Sequence, residues 1–292
     1  GSAPPASNWC CRFARAMPVV QRLAKPCKIL LKLYMAKKLL VLCMAALMAM
    51  AALVAGCGGE QKAAESEKVL KVGVNADFAP FEFQDENGKE YQGFDMDLIR
   101  AVGEEMGYKV DINNLNFDGL IPALEAGNID VCISGMTINE ERKQKVNFSD
   151  PYYKSGLSIA VAKDNESIKT FEDLKGKKVG VQIATTSAAE VKKIDGVHVK
   201  EFDSSADVFM ELRAKGVDAI VNDSPVNDYY IMKSGETNVK ALPDLLTSED
   251  YGIAVSKKNE ELLKEINAAL KKLHENGKYD EIFTKWFGTT SK

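Results

Sequence analysis

Short apolar runs alternate with amphipathic helical patterns along the chain after residue 68, and this alternation constrains the fold more than any other feature. Strands that alternate with helices of this length form βαβ units with mainly parallel sheets, so the sequence predicts an α/β fold. The predicted strands are residues 69–74, 109–112, 131–134, 178–181, 197–202 and 219–221, and the predicted helices are 95–106, 120–126, 188–193 and 206–215.

The alternation occurs twice, in two similar halves. A helix end, a glycine and an acidic residue lead into a strand at 124–134, and the same order recurs at 212–221. This repetition indicates two lobes of one architecture, although helix, glycine and strand in this order also arise by chance. Extended segments at 157–162 and 251–255 would cross between the lobes as hinge strands and leave a cleft. We therefore predict lobe 1 from residues 69–158 plus 251–292, and lobe 2 from residues 159–250.

The N-terminal region has the features of a secretion signal. A basic stretch begins at Met35, an apolar run occupies 39–55, and small residues precede Cys57. This order is typical of a signal peptide, and the small residues before the cysteine resemble a bacterial lipobox. We predict a lipoprotein signal peptide at 35–56, a diacylated Cys57 and a flexible polar tether at 57–68. A permanent membrane-spanning helix is the alternative, because the apolar run is just long enough to cross a bilayer.

Residues 1–34 begin with Gly1-Ser2, which is typical of an expression-tag scar, so we predict that they are a non-native leader. The cysteines of this stretch have no following Cys or His pair that would suggest a metal site. Beyond Cys57 only Cys132 remains, within an apolar run. We predict a buried free thiol there and no intramolecular disulfide in the body.

Charge excludes one class of function. The net charge is −4, yet the first 56 residues contain basic side chains and no Asp or Glu. The remaining chain is therefore more acidic than the net charge suggests. A body of this charge repels phosphate backbones, so nucleic-acid binding is disfavoured.

Five motifs occur in order along the body. They are Phe78-Ala79-Pro80-Phe81-Glu82-Phe83, Gly93-Phe94-Asp95-Met96-Asp97-Leu98, Gly119-Leu120-Ile121-Pro122-Ala123-Leu124, Ser134-Gly135-Met136-Thr137-Ile138 with Glu141-Arg142, and Phe148-Ser149-Asp150-Pro151-Tyr152-Tyr153. With these motifs the chain resembles the polar amino-acid solute-binding proteins, family 3, of ABC uptake transporters. The resemblance spans residues 69–288. It implies the two-lobed type II periplasmic-binding fold, in which each lobe is a mainly parallel sheet flanked by helices and two hinge strands join the lobes.

The resemblance also implies how the ligand's charged groups are held. Arg142 matches the residue that binds the α-carboxylate, for which a planar guanidinium offers two parallel donors. Thr186 matches the second lobe's contact to the same carboxylate, and backbone N–H groups at the helix start near Thr137 would add to this anion site. Asp223 matches the acid that receives the α-ammonium, and Gly135 matches a residue whose carbonyl contacts the same group.

The same resemblance places four residues around the ligand's side chain. Phe78 and Phe117 match aromatic walls, and Asn75 and Gln182 fall at side-chain positions. A neutral, amide-rich lining favours glutamine or another polar uncharged ligand. Asp77 would instead serve arginine, lysine or histidine if it turned inward.

Each of these residues also has a structural interpretation. Thr137 with Glu140 has the spacing of a capping box, and Thr186 opens a predicted helix. Arg142 lies among charged residues that are typical of a solvated helix face, and Asp223 is placed to cap the helix after Pro225. Phe78 and Phe117 would serve equally well as core residues.

Closure follows from this assignment, because Arg142 and Asp223 fall in different predicted lobes. A zwitterion would contact both only when the lobes close on it, so ligand would shift the population toward the closed form. We expect no catalytic residue, cofactor or metal, since His198 and His274 lack spaced partners.

The expected partners are a free amino acid, the permease subunits of an ABC transporter, and the membrane through the lipid on Cys57; a monomer is expected. The expected location is the cell envelope, on the outer face of the cytoplasmic membrane or in the periplasm. Two alternatives remain open at this point: an enzyme similar to cyclohexadienyl dehydratase, which shares this fold, and the sensor domain of a receptor.

Overall fold

A computed structural model describes residues 68–85, 87–233 and 238–288. The predicted leader at 1–34, the signal peptide at 35–56, Cys57 and the tether up to residue 67 lie outside the described residues, so they stay predictions. Among the helices that are described, none has both the length and the apolar character needed to cross a membrane.

The described residues form fifteen strands, numbered in chain order. They are β1 (Lys68–Val74), β2 (Asp77–Phe78), β3 (Glu82–Gln84), β4 (Tyr91–Gln92), β5 (Tyr108–Asn114), β6 (Val131–Cys132), β7 (Val146–Phe148), β8 (Tyr153–Ser155), β9 (Leu157–Ala162), β10 (Lys178–Gln182), β11 (His198–Phe202), β12 (Ala219–Asp223), β13 (Val239–Ala241), β14 (Glu249–Tyr251) and β15 (Ala254–Ser256).

The α-helices of the described chain are α1 (Phe94–Met106), α2 (Phe117–Ala126), α3 (Glu140–Lys145), α4 (Thr186–Val191), α5 (Ser205–Arg213), α6 (Ser224–Lys233), α7 (Glu260–Glu275) and α8 (Lys278–Phe287). A short 3₁₀ helix occupies Glu172–Leu174. Every strand and helix predicted from the sequence overlaps one of these elements.

Two five-stranded sheets organise the molecule, and they share one pattern. The first has the order β5-β1-β6-β15-β7 and the second the order β11-β10-β12-β9-β13. In each sheet the first three strands run parallel, whereas the last two pairings are antiparallel. The antiparallel strands were not predicted. They arise because β9 and β15 enter their sheets by crossing from the other sheet, without the helical crossover that makes neighbours parallel.

The two crossing segments form a ribbon of their own. Strand β8 pairs antiparallel with β14, and this pairing ends at Ser155. Leu157 already pairs with Asp223 in β12, so residues 157 and 158 belong to the second sheet. The predicted boundary after residue 158 therefore falls inside β9, because the strand that leaves the ribbon joins the second sheet at once. The division into two lobes stays a prediction. The segments that cross between the two sheets are β8 and β14.

The burial of the central strands follows from helices packed beside both sheets. All five residues of β12 are buried, as expected for a strand in the middle of a covered sheet. Helices α4 and α5 pack against β10 and β12, while α2 packs against β1 and β6. Helix α7 buries Leu262, Ile266 and Leu270, whose spacing of four residues puts them on one helical face.

Gly93, which precedes α1, lies against the backbone of Phe81, and substitution of this glycine tests how closely the two segments pack. Its φ is 134°, and a Cβ at this position would lie 2.0 Å from the carbonyl oxygen of Phe81. Gly93→Ala is therefore expected to lower the free energy of unfolding by about 3 kcal/mol or more, measured by urea denaturation. Gly119→Ala is the matched control, because a Cβ there meets nothing within 4 Å inside α2. It is expected to raise stability by about 0.5–1 kcal/mol. Equal losses in both variants would contradict this account.

Candidate functional site

A cavity with an empty volume of about 300 Å³ lies where several strands end. Gln182 ends β10, Asp223 ends β12, and Asn75 follows β1 directly. In α/β sheets ligands bind outside the carboxyl ends of the strands, so this is the expected edge for a site. The lining residues are Asn75, Phe78, Glu82, Phe117, Ser134, Gly135, Thr137, Arg142, Gln182, Thr185, Thr186 and Asp223.

The structure brings all of the residues that the sequence assigned to the ligand onto this one lining. They come from both sheets and from loops more than a hundred positions apart in the chain. Their role as ligand contacts remains a proposal, but their proximity no longer depends on the resemblance.

Arg142 places a buried cation in the cavity wall. Its helix, α3, begins after Asn139, whose Oδ1 accepts a 2.8 Å hydrogen bond from the Arg142 backbone N–H. The guanidinium donates to the carbonyl of Thr137 at 2.8 Å and to the carbonyl of Ala184 at 3.1 Å. It also lies 5.4 Å from the ring centre of Phe117, within cation–π range. Burial lowers the pKa of Arg142, yet a guanidinium stays protonated at neutral pH.

Two predicted helix caps need correction. Thr137 does not cap α3, because the cap must directly precede the helix and Asn139 holds that position. Thr186 is the first residue of α4 rather than its cap, and the Thr185 hydroxyl caps this helix instead. Neither hydroxyl caps a helix, and both donate to the carboxylate of Glu249: Thr137 to Oε2 at 2.5 Å and Thr186 to the same oxygen at 2.9 Å.

Asp223 supplies a buried acid opposite in charge to Arg142. Its Oδ1 accepts hydrogen bonds from the hydroxyl of Ser155, at 2.9 Å, and from the hydroxyl of Tyr251. This leaves Oδ2 without a hydrogen-bond partner among the described residues. The pKa of Asp223 is raised to about 7: burial is the largest cause and the charge of Glu249 adds to it, whereas the two hydroxyls and Arg142 oppose the rise. Asp223 therefore exchanges its proton near neutral pH.

The residues predicted to surround the ligand's side chain, Asn75, Gln182, Phe78 and Phe117, all line the cavity. Gln182 Nε2 donates to Asn75 Oδ1 at 2.8 Å, which joins the two sheets across the site. Phe78 is buried and stacks on Phe81 with 6.0 Å between ring centres, so it serves both core and cavity. Phe117 packs against the Arg142 guanidinium in addition to lining the cavity.

Asp77 does not turn into the cavity, so the condition for its proposed contact with a cationic ligand is not met. Its Oδ2 accepts a 3.1 Å hydrogen bond from the backbone N–H of Ser205 at the start of α5. The positive end of a helix attracts a carboxylate, which explains this orientation. Burial raises the pKa of Asp77 to about 6.

Sequence reasoning missed Glu82, Ser134 and Thr185 on the lining, and Glu249 directly behind it. Glu82 is fully buried and its Oε1 accepts a 2.8 Å hydrogen bond from the Ser134 hydroxyl. Burial raises the pKa of Glu82 well above its ordinary value, and the neighbouring Asp95 adds to this. The sequence did contain a signal for Glu82, because it stands between Phe81 and Phe83 in the first of the five motifs. An acid flanked by apolar residues in this way is a candidate for burial.

The profile of the bacterial extracellular solute-binding proteins, family 3, matches residues 70–289. The chain belongs to this family. A "Probable histidine-binding protein" of Neisseria gonorrhoeae is 37% identical over 83% of this chain and 94% of that protein. The family recognised from the five motifs is therefore confirmed.

Solved structures agree on the fold. "An ancestral arginine-binding protein", solved with arginine and again with glutamine, is 50% identical over 76% of this chain and 99% of that one, with a TM-score of 0.74. The ancestral amino acid-binding protein AncCDT-1, "a precursor of cyclohexadienyl dehydratase", is 44% identical over 75% of this chain and 95% of that one, with a TM-score of 0.70. The predicted α/β class and type II periplasmic-binding fold are confirmed.

Proposed function

We propose that this solute-binding protein captures one free amino acid outside the cytoplasmic membrane and delivers it to the permease subunits of an ABC uptake transporter. One observation carries the proposal: Arg142 and Asp223, buried and opposite in charge, line the same cavity. A zwitterion is the small solute that matches such a pair, with its carboxylate on the guanidinium and its ammonium on the free oxygen of Asp223. The relatives support this solute class: one is named a probable histidine-binding protein, and another is an arginine-binding protein solved with arginine and with glutamine.

Closure around the ligand is the proposed mechanism. Arg142 lies in proposed lobe 1, residues 69–158 plus 251–292, and Asp223 lies in proposed lobe 2, residues 159–250. Contacts such as Asn75 with Gln182 and Arg142 with the Ala184 carbonyl join the two sides of the cavity. A ligand held by both charges favours the closed form, because that form completes both sets of contacts. The transporter would then recognise the closed shape.

Glutamine is the proposed preference, with arginine, lysine and histidine next. Asn75 and Gln182 present neutral amide groups at the side-chain end of the cavity, and Asp77, the acid considered for a cationic ligand, bonds to Ser205 instead. Glu82 is the remaining acid of the lining, and its raised pKa favours the neutral form. A neutral polar side chain therefore suits this lining better than a charged one.

Calorimetry across the twenty amino acids tests both the solute class and the preference. Glutamine is expected to bind most tightly. Asn75→Asp is expected to shift the ratio of dissociation constants toward arginine by about tenfold or more, because it adds a carboxylate beside the ligand's side chain. Asn128→Asp is the matched control, since Asn128 is exposed and outside the cavity. Absence of binding to every amino acid would refute the proposal, and arginine binding most tightly to the wild type would refute the preference alone.

The enzyme alternative is tested with the same protein. Conversion of prephenate or arogenate on incubation would favour a dehydratase similar to cyclohexadienyl dehydratase. The relative on that lineage is described as amino acid-binding, which supports binding over catalysis for this chain. No cofactor enters the proposed mechanism.

A lipid anchor at Cys57 is part of the proposal, after removal of a signal peptide at 35–56. The basic stretch, apolar run and small residues before Cys57 support it. Mass spectrometry of the mature protein from bacterial membranes would show a diacylated N-terminal Cys57; an unmodified cysteine would refute the anchor.

A further inference from the structure

Glu82 and Asp95 are two fully buried acids that lie against each other at the cavity wall. Glu82 begins β3, and Asp95 belongs to the first turn of α1. Both are 0% exposed, and no Lys or Arg forms an ion pair with either one among the residues that the structure describes. Two buried carboxylates without a cation repel each other, so the pair does not stay doubly charged.

Hydrogen bonds satisfy one oxygen of each acid. Glu82 Oε1 accepts from the Ser134 hydroxyl at 2.8 Å, and Asp95 Oδ2 accepts from the backbone N–H of Gly135 at 2.9 Å and from the Tyr152 hydroxyl at 2.8 Å. The other two oxygens, Glu82 Oε2 and Asp95 Oδ1, are buried and have no partner elsewhere in the described chain. The two side chains are within hydrogen-bond reach of each other. Their oxygens satisfy each other only if one carries a proton, because an ionised carboxylate has no donor.

The surroundings determine which acid holds that proton. Asp95 accepts two donors that favour its charged form, and its pKa, raised by burial, is about 6. Burial, and then the charge of Asp95, raise the pKa of Glu82 well above its ordinary value. The other titratable groups that act on the pair are Asp77, Cys132 and Tyr152, and none of them brings a positive charge. At neutral pH the proton therefore belongs on Glu82 and the charge on Asp95.

We propose that Glu82 and Asp95 share one proton, carried by Glu82 Oε2 and donated to Asp95 Oδ1, and that this acid pair positions the loop at Ser134 and Gly135 in the cavity wall. Both loop residues line the cavity, and each bonds to one member of the pair. The Ser134 hydroxyl oxygen also accepts from the backbone N–H of Asn75 at 2.9 Å, so the pair holds the end of β1 as well. The positioning role rests on the proposed function, whereas the shared proton does not.

The conformation of Gly135 explains why the loop depends on this support. Its φ is 48°, and a Cβ at this position would lie 2.8 Å from the ring of Phe78. The backbone therefore passes close against an aromatic wall of the cavity. Because its N–H is buried and donates to Asp95, a shift of that carboxylate would leave the N–H unpaired or move the loop with it.

Infrared spectroscopy tests the shared proton directly. At pH 8 the wild type is expected to show the C=O stretch of a protonated carboxyl group, and the difference spectrum against Glu82→Gln is expected to contain one such group. Glu125→Gln is the matched control, because Glu125 is exposed on α2 and outside the cavity lining, and it is expected to keep the wild-type band. A wild type without this band, or a band undiminished in Glu82→Gln, would overturn the inference.

Calorimetry with the tightest amino acid of the wild-type panel tests the positioning role. Glu82→Gln supplies an amide N–H for Asp95 and a carbonyl oxygen for Ser134, so its affinity is expected to stay within about threefold of wild type. Glu82→Ala removes both groups and leaves an oxygen of the charged Asp95 unpaired, so binding is expected to weaken by about tenfold to a hundredfold. Glu125→Ala is expected to bind as wild type does.

Thermal melts establish that each variant is folded. Wild-type affinity in Glu82→Ala would overturn the positioning role, and so would equal losses in Glu82→Ala and Glu82→Gln. If Glu82→Ala does not fold, Ser134→Ala takes its place, because it removes only the hydroxyl that joins the pair to the loop; wild-type affinity in that variant would likewise overturn the role. A wild type that binds no amino acid would refute the proposed function, while the infrared comparison still decides on the shared proton.

Discussion

Arg142→Ala is expected to lower the affinity for the bound amino acid by about two to four orders of magnitude. The guanidinium is buried in the cavity wall, and without it the ligand's carboxylate would be desolvated and unpaired. Breaking a buried ion pair on one side costs ~3–5 kcal/mol, which corresponds to that loss of affinity. Isothermal titration calorimetry of the variant against the wild-type ligand measures it.

Two further variants define the cause of this loss. Lys143→Ala, on the same helix, removes an exposed side chain that pairs with Glu140 at 2.9 Å, and it is expected to leave the affinity unchanged. Arg142→Lys keeps the charge but loses the planar pair of donors, so an intermediate affinity is expected. Wild-type affinity in Arg142→Ala for every amino acid would show that the site assignment is wrong.

The second large effect is a pH dependence of binding that originates at Asp223. Burial raises its pKa to about 7, so this carboxyl is increasingly protonated as the pH falls through 7. In the proposed assignment the ligand's ammonium needs the charged form of this carboxylate, so affinity is expected to fall on the acidic side. The limiting slope is about tenfold per pH unit, and with half of the carboxyl already protonated at pH 7 the affinity falls by about fiftyfold between pH 7 and pH 5. Calorimetry at pH 8, 7, 6 and 5 measures the slope.

Asp223→Asn identifies the group responsible. This variant is expected to bind weakly at every pH and to lose the dependence, because the amide has no proton to exchange in this range. Asp77, Asp95 and Glu82 are the competing candidates, since burial raises the pKa of the first two to about 6 and that of Glu82 well above its ordinary value. A wild-type slope that persists in Asp223→Asn would assign the dependence to one of these three acids. A flat wild-type profile would contradict the role of Asp223.

Local patterns in the sequence were sufficient for the main elements and for the family. Alternating apolar runs predicted the parallel strands because burial on both faces demands continuous apolar segments, as in β12. The motifs then selected Arg142, Asp223 and the other lining residues, which the structure gathers around one cavity. The two five-stranded sheets have the same arrangement of parallel and antiparallel strands, which agrees with the repeated pattern of helix, glycine and strand in the sequence.

The hydrogen-bond partners of polar side chains could not be predicted from local patterns, because each hydroxyl or carboxylate had several candidate partners nearby in the sequence. The spacing of Thr137 and Glu140 matched a capping box, yet the hydroxyl of Thr137 bonds to Glu249, 112 positions away. Nothing near Asp77 in the sequence indicated which way its carboxylate points. In the structure it accepts from the backbone N–H of Ser205, at the start of α5 and 128 positions away. In both cases the decisive partner is on a distant element that the local pattern does not contain.

The sequence by itself thus determined the class of fold, the family, and which side chains carry the opposite charges of the site. Tertiary structure alone decided the antiparallel strands, the true helix caps, and the ribbon that brings Glu249 behind the cavity. Burial preferences repeat along the chain and can be recognised locally. The direction in which a polar side chain donates or accepts is settled only when folding brings its partner within hydrogen-bond distance.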